Sequence, residues 1–221
     1  MAMSGSCCTR STGARNGRSE RRASATRKRS ARGNARLGPP LKRAQTQGRT
    51  IVFIDESGLS LKPHRCRTWA PRGQTPILAF NFNWEKLSAA AGITFRNFYF
   101  RLYPKGIGGP EVIDFLKALV RHIHRPLLIV WDRLPAHRSA LVQEFIGYSD
   151  GHIKTEYLPG YAPELNPVEY IWGYWKQHEL PNVCPKHYWD LDERARKTLR
   201  RMRRKPRLVA AFWKQSSLCL N

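Results

Sequence analysis

Two short runs in this chain are apolar at every position, and each stops at an acid. Ile51-Val52-Phe53-Ile54 precedes Asp55-Glu56, and Leu127-Leu128-Ile129-Val130-Trp131 precedes Asp132. A strand with no polar alternation is buried on both faces, so the chain needs a sheet with helices packed on either side. A carboxylate just past such a strand lies at the sheet edge where open α/β sheets hold their ligands. If the two strands are neighbours, their acids repel unless a cation neutralises them. Mg²⁺ suits such a site, because it prefers hard oxygen ligands and keeps waters for a substrate phosphate.

The remaining pattern supplies the partners. Leu87–Thr94 and Asn97–Tyr103 read as strands, the second with Phe98, Phe100 and Leu102 on one face. Between the first acid and these strands, the proline- and glycine-rich residues 59–76 predict loop or hairpin around a short strand near Trp69. Val112, Phe115, Leu116, Leu119 and Val120 recur at helical spacing, which predicts a helix over 110–123. A helix over 139–148, a strand over 152–158, a helix starting near Pro167 and a last basic helix over 191–204 complete the order. Three strands, helix, strand, helix, strand, helix imply a mixed α/β sheet with helices on both faces. Trp69, Trp84, Trp172 and Trp175 read as core residues without a site role.

Charge divides the chain into three. The net charge is +23, but residues 51–190 are nearly balanced, with sixteen Lys/Arg against thirteen Asp/Glu. Residues 1–50 hold thirteen basic side chains and one acid, Glu20, and residues 191–221 hold ten against two. Basic ends around a near-neutral centre predict a polyanionic partner such as nucleic acid. Residues 1–48 show almost no large apolar side chain, so a disordered basic tail or linker remnant is expected there. Residues 49–190 form the expected catalytic domain and 191–221 a basic C-terminal helical segment. Within the latter, nine Lys/Arg and no acid over Arg194–Arg207 predict a phosphate-contacting element not suited to burial. The five cysteines are scattered, so unpaired thiols are expected rather than a disulfide framework, and His64, Cys66, Cys184 and His187 have poor spacing for zinc. No apolar run is long enough for a membrane span, and no signal-like segment opens the chain, so an intracellular protein is expected.

A third acid lies in Leu158-Pro159-Gly160-Tyr161-Ala162-Pro163-Glu164-Leu165-Asn166-Pro167-Val168-Glu169-Tyr170-Ile171-Trp172. This stretch, with Ile54-Asp55-Glu56-Ser57-Gly58 and Trp131-Asp132-Arg133-Leu134-Pro135-Ala136-His137-Arg138, resembles the DDE transposases of the mariner-related superfamily, in particular their bacterial insertion-sequence branch. The resemblance implies a ribonuclease H-like α/β fold and cut-and-paste DNA transposition. It implies that Asp55, Asp132 and Glu169 are the catalytic metal ligands, and it selects Glu169 over Glu164. It further implies two Mg²⁺ ions (Mn²⁺ as substitute), transposon-end and target DNA as partners, a homodimer on DNA and a prokaryotic, nucleoid-associated setting. Glu56 should point away from Asp55 and either bind the neighbouring backbone or act as an outer support, and His137 reads as a positioning group, or as a contact to the scissile phosphate or to a supporting carboxylate.

Two departures are visible. The residue after the second acid is commonly Gly or Asn in the family, and here it is Arg133. Complete relatives carry helix-turn-helix domains before the catalytic domain, which residues 1–50 cannot hold, so a separate recognition polypeptide or a truncated copy is expected. An inactive DNA-binding remnant, or another ribonuclease H-like nuclease, are the alternative readings.

Overall fold

A computed structural model describes residues 17–80, 85–160, 162–216 and 218, with the backbone alone for 17–30 and 32. Strands β1 (Thr50–Ser60), β2 (Lys86–Ile93), β3 (Phe98–Tyr103), β4 (Leu127–Trp131) and β5 (Ile153–Tyr157) form one sheet in the order β3-β2-β1-β4-β5. β1, β2 and β3 pair antiparallel, whereas β1–β4 and β4–β5 pair parallel. The mixed sheet with helices on both faces is therefore as the sequence predicts.

Strict period-two alternation divides the strand residues between two cores. Ile51 and Phe53 of β1 and Leu128 and Val130 of β4 face helices α1 (Gly17–Thr46), α4 (Pro167–Tyr174), α5 (Tyr188–Arg203) and α6 (Pro206–Gln215). Val52, Ile54, Ile129 and Trp131 face α2 (Gly109–His122) and α3 (Ala140–Gly147). This double burial is why both runs are apolar throughout.

Several expectations are corrected. β1 does not end at Asp55-Glu56: it continues to Ser60 on β2, while its pairing with β4 ends at Phe53. Residues 1–48 were expected to lack structure, yet α1 runs from Gly17 to Thr46 through Pro39 and Pro40. Leu37, Leu41 and Ala44, spaced four and three apart, put one buried stripe against the sheet. Gly33 makes the close approach possible, since a Cβ there would lie 2.2 Å from Leu165 Cδ1. The expected boundary at 190 is also absent from the packing. Leu191, Ala195, Leu199, Met202, Val209 and Phe212 are buried in the same core as β1, so the basic helix is amphipathic rather than cationic all round. No strand forms near Trp69, which is 99% exposed and not a core residue. Trp84 and Tyr161 lie outside the described residues. No described helix is long and apolar enough to cross a membrane.

Candidate active site

The parallel register between β1 and β4 pairs Thr50 with Leu127 and Phe53 with Val130. Continuing it two residues brings Asp55 level with Asp132. Both then follow the side-chain parity of Phe53 and Val130, toward α4. The third acid reaches the same place through the start of α4. Asn166 caps that helix by accepting from the Val168 amide at 3.2 Å through Oδ1, and Pro167 opens it without needing an amide partner. Glu169 stands in the first turn, exposed to solvent. Asp55, Asp132 and Glu169 line one open cleft of about 520 Å³ together with Arg133, Leu158, Pro159 and Asn166. Glu164 sits instead on a 3₁₀ turn, Pro163–Leu165, outside that lining.

The carboxylates differ in environment. Asp55 is buried, and Oδ2 accepts a hydrogen bond from Trp172 Nε1 at 3.0 Å. Burial, then the neighbouring charges of Glu169 and Glu56, push its carboxyl up to about 8. Asp132 is half-buried. Burial raises it, but hydrogen bonds from His137 and from the Leu134 amide, with the His137 charge, outweigh this and hold it below the usual carboxylate range. The asymmetry comes from burial and from the donors: Asp132 has His137 and the Leu134 amide, whereas the more deeply buried Asp55 has only neutral donors, the Trp172 indole and the Glu56 amide.

His137 is fully buried and explains Glu56. Nδ1 lies 2.9 Å from Asp132 Oδ1 and Nε2 lies 2.9 Å from Glu56 Oε1. Its ring stacks on Trp131 at 4.4 Å and 7°, and Gln143 Nε2 donates to its carbonyl at 2.8 Å. Burial lowers the imidazole, but the two carboxylate hydrogen bonds prevail and raise it to about 9. Glu56, one residue after Asp55, points to the opposite sheet face as strand parity requires, and reaches Asp132 only through His137. This arrangement fixes Asp132 Oδ1 between His137 and the Leu134 amide and leaves Oδ2 outside these hydrogen bonds.

Sequence reasoning missed Trp172. It is buried, as expected, but its indole N–H holds a site carboxylate, which a core assignment does not reveal. A signal was present: Trp172 falls three residues after Glu169, on the helix face that the acid also occupies.

Among the described residues, no three His, Cys, Asp or Glu side chains converge closely enough to ligate one ion. The donor set nonetheless fits a hard dication. Three carboxylates share one cleft, and Asp55 is raised first by burial and then by the charges of Glu169 and Glu56, both of which such an ion would offset.

Residues 50–188 match the family model described as DDE superfamily endonuclease. The fold is similar to the Mos1 transposase in a paired-end complex with the left transposon end, at 16% identity and a TM-score of 0.62, over 98% of this chain and 64% of that one. The mariner Mos1 paired-end complex with Mg gives 17% identity and 0.62, over 87% and 61%. The isolated Mos1 mariner catalytic domain gives 14% and 0.50, over 88% and 96%. The chain thus spans less than two thirds of these two paired-end Mos1 chains. No curated protein sequence matches it.

Proposed function

The chain belongs to the DDE superfamily endonucleases, and from that premise we propose that it is the catalytic part of a transposase that hydrolyses DNA phosphodiesters at transposon ends and transfers the freed strand to target DNA. The observation that carries this reading is the shared cleft of Asp55, Asp132 and Glu169, with Asp55 forced toward its neutral form by burial and by its neighbours.

Asp55, Asp132 and Glu169 would hold two Mg²⁺ or Mn²⁺ ions. When bound, these supply charge neutralisation at the phosphate and activation of the attacking oxygen. The residues of the chain do the positioning. Trp172 orients Asp55, and His137, anchored by Glu56, orients Asp132. In the first step, water attacks the phosphorus and the P–O3′ bond breaks, leaving a 3′-hydroxyl. In the second, that hydroxyl attacks a target phosphodiester, one ester bond replaces another, and no covalent protein intermediate forms. DNA ends and target DNA are the proposed partners, with end recognition supplied by a separate helix-turn-helix polypeptide or segment and two copies acting together. A prokaryotic nucleoid is the proposed setting.

The test is strand transfer with end-bearing DNA and Mg²⁺, comparing the wild type with Asp132→Ala. We expect joined product from the wild type and at least a hundredfold less from the variant, since removing one carboxylate removes a metal ligand. The exposed Arg133 on the cleft wall favours a second reading, a DNA-binding remnant. Binding without cleavage by the wild type supports that one. Cleavage of RNA–DNA hybrids or junctions without joining points to a different ribonuclease H-like nuclease.

A further inference from the structure

Away from the catalytic cleft, the end of α3 and the loop after it meet α2 at a pocket of about 450 Å³, within the roughly 300–1,000 Å³ of small-ligand sites. Lys117, Val120 and Arg121 of α2 form one side, and Phe145, Tyr148 and His152 the other. β5 leads from Ile153, in this pocket, toward Leu158, in the wall of the cleft. Those five steps, at about 3.3 Å each, separate the two sites by about 17 Å. They also lie on opposite faces of the sheet, since α2 and α3 cover one face and Asp55 reaches Trp172 of α4 on the other. We infer that this pocket binds a free nucleoside monophosphate, with its base against Tyr148 and its phosphate between Lys117 and Arg121.

Three kinds of group in the pocket have nothing in the fold to occupy them. Lys117 and Arg121 stand one helical turn apart, about 6 Å between Cβ atoms. Among the described residues neither has a carboxylate within ion-pair distance. Asp114, the acid that precedes them on α2, is engaged with Arg101 and the Tyr103 hydroxyl instead. Tyr148 is 81% exposed, and the buried Nε2 of His152 has no hydrogen-bond partner among the described residues. No carboxylate lines the pocket. Two cations that converge on one point suit a phosphomonoester, which carries nearly two charges at neutral pH, better than a carboxylate, which carries one. An open aromatic ring suits a base, because every base has a face to stack. Val120 and Ile153 add apolar surface between the two, and the imidazole nitrogen donates to or accepts from a base edge according to its tautomer.

The loop side of the pocket is held in place. Ser149 Oγ donates to the Ile146 carbonyl at 2.6 Å and accepts from the Ile153 amide at 3.1 Å. The His152 amide donates to the Ser149 carbonyl at 2.8 Å, and the His152 carbonyl accepts from the Leu127 amide at 2.8 Å. Arg49 Nη1 donates to the Gly151 carbonyl at 2.9 Å, which ties the turn to the start of β1. On the helix side, Lys117 Nζ lies 5.6 Å from the centre of the Phe145 ring, and cation–π attraction steadies its ammonium at the wall. A ligand therefore meets a site whose ordering cost is largely met by the fold.

Saturation-transfer NMR on the full chain, in EDTA and at physiological salt, reads the binding of 5′-AMP. The wild type should saturate the base protons. Tyr148→Ala, and Lys117→Gln combined with Arg121→Gln, should each weaken binding by roughly tenfold or more. Lys214→Gln, an exposed cation on α6 across the sheet, should leave it unchanged. All of these are surface changes and should melt with the wild type, so a loss reports contact rather than unfolding. Inorganic phosphate and adenosine should each displace 5′-AMP only weakly. Displacement by either at the concentration where 5′-AMP displaces itself overturns the proposal, because one half of the ligand then suffices. A single-stranded oligonucleotide that binds more tightly and is weakened by the same variants overturns it in favour of a DNA strand. Tighter binding of the dipeptide glutamyl-tryptophan overturns it in favour of a protein segment. No saturation at millimolar 5′-AMP, or binding untouched by the variants, overturns it outright. Since no DNA is cleaved in EDTA, the result is independent of the nuclease reading.

Discussion

Asp55 is held in an environment that opposes its charge. Its folded pKa, about 8, lies above the ordinary carboxylate value of 3.8. For a group raised on folding, the stabilising contribution is complete below the unfolded pKa and is lost as pH rises through the folded one. Stability of the metal-free protein should therefore fall between about pH 4 and pH 8 on account of this residue. Asp55→Asn keeps an oxygen for the Trp172 N–H and removes the charge. We expect it to raise stability at pH 8 by on the order of 1–3 kcal/mol, to change it little at pH 4, and to abolish cleavage. Thermal denaturation at the two pH values checks this, and an equal or lower Tm at pH 8 would refute it. Trp172→Phe tests the other partner of the same hydrogen bond. Packing is largely kept, so stability should drop by about 1–2 kcal/mol, whereas kcat should fall roughly ten- to a hundredfold at unchanged DNA affinity. A parallel loss of affinity would show that the indole supports DNA binding instead.

At the scale of elements, α5 shows how composition misleads. Its run of cations suggests a helix with no side to bury, yet Leu191, Ala195, Thr198, Leu199 and Met202 recur every three to four residues and are buried. Several of the cations are already engaged on the outside. Arg194 pairs with Asp190 and Arg196 with Asp192 at i,i+4 spacing, and Arg201 binds Glu179. Leu199→Ala should then cost about 2–5 kcal/mol, and the adjacent, exposed Arg200→Ala about 0.5 kcal/mol or less. Denaturant unfolding of the two variants separates them, and comparable losses would contradict the amphipathic packing. α1 follows the same logic with fewer residues: three apolar side chains and one glycine dock it on the sheet and on the turn at Leu165.

Across the whole molecule, the sheet has one face covered by elements from both chain ends. α1 precedes β1, and α5 and α6 begin 19 and 37 residues after Glu169, yet their apolar residues share a core with Phe53 and Val130. A chain ended at residue 190 should consequently fail to fold cooperatively, because Leu87, Phe98 and Phe53 would lose their cover. Loss of a cooperative melt in such a truncation is the expected outcome. A truncation that melts like the full chain would restore 49–190 as an independent unit. The alternative view of 191–221 as a separable DNA-binding tail makes the opposite prediction, so one measurement decides between them.

The apolar runs before Asp55 and Asp132, and the Asn-Pro-Val-Glu start of α4, were readable from residues alone. Uninterrupted hydrophobicity has no use except burial on both faces, and an Asn-Pro pair is locally suited to open a helix. Those local rules give the elements and their burial, and the resemblance singled out Glu169; the sheet order β3-β2-β1-β4-β5 and the meeting of three acids in one cleft come from the tertiary structure. The partners of the acids were not readable. That Trp172 donates to Asp55 across 117 residues, and that His137 joins Asp132 to Glu56, depend on how α4 and the β4–α3 loop settle against the sheet. The same holds for the docking of α1 and α5, whose stripes are too sparse to stand out against their charge. Local sequence determines what each element is and which face it buries. Which side chains meet across elements is set by packing, and packing exists only once the whole chain has folded.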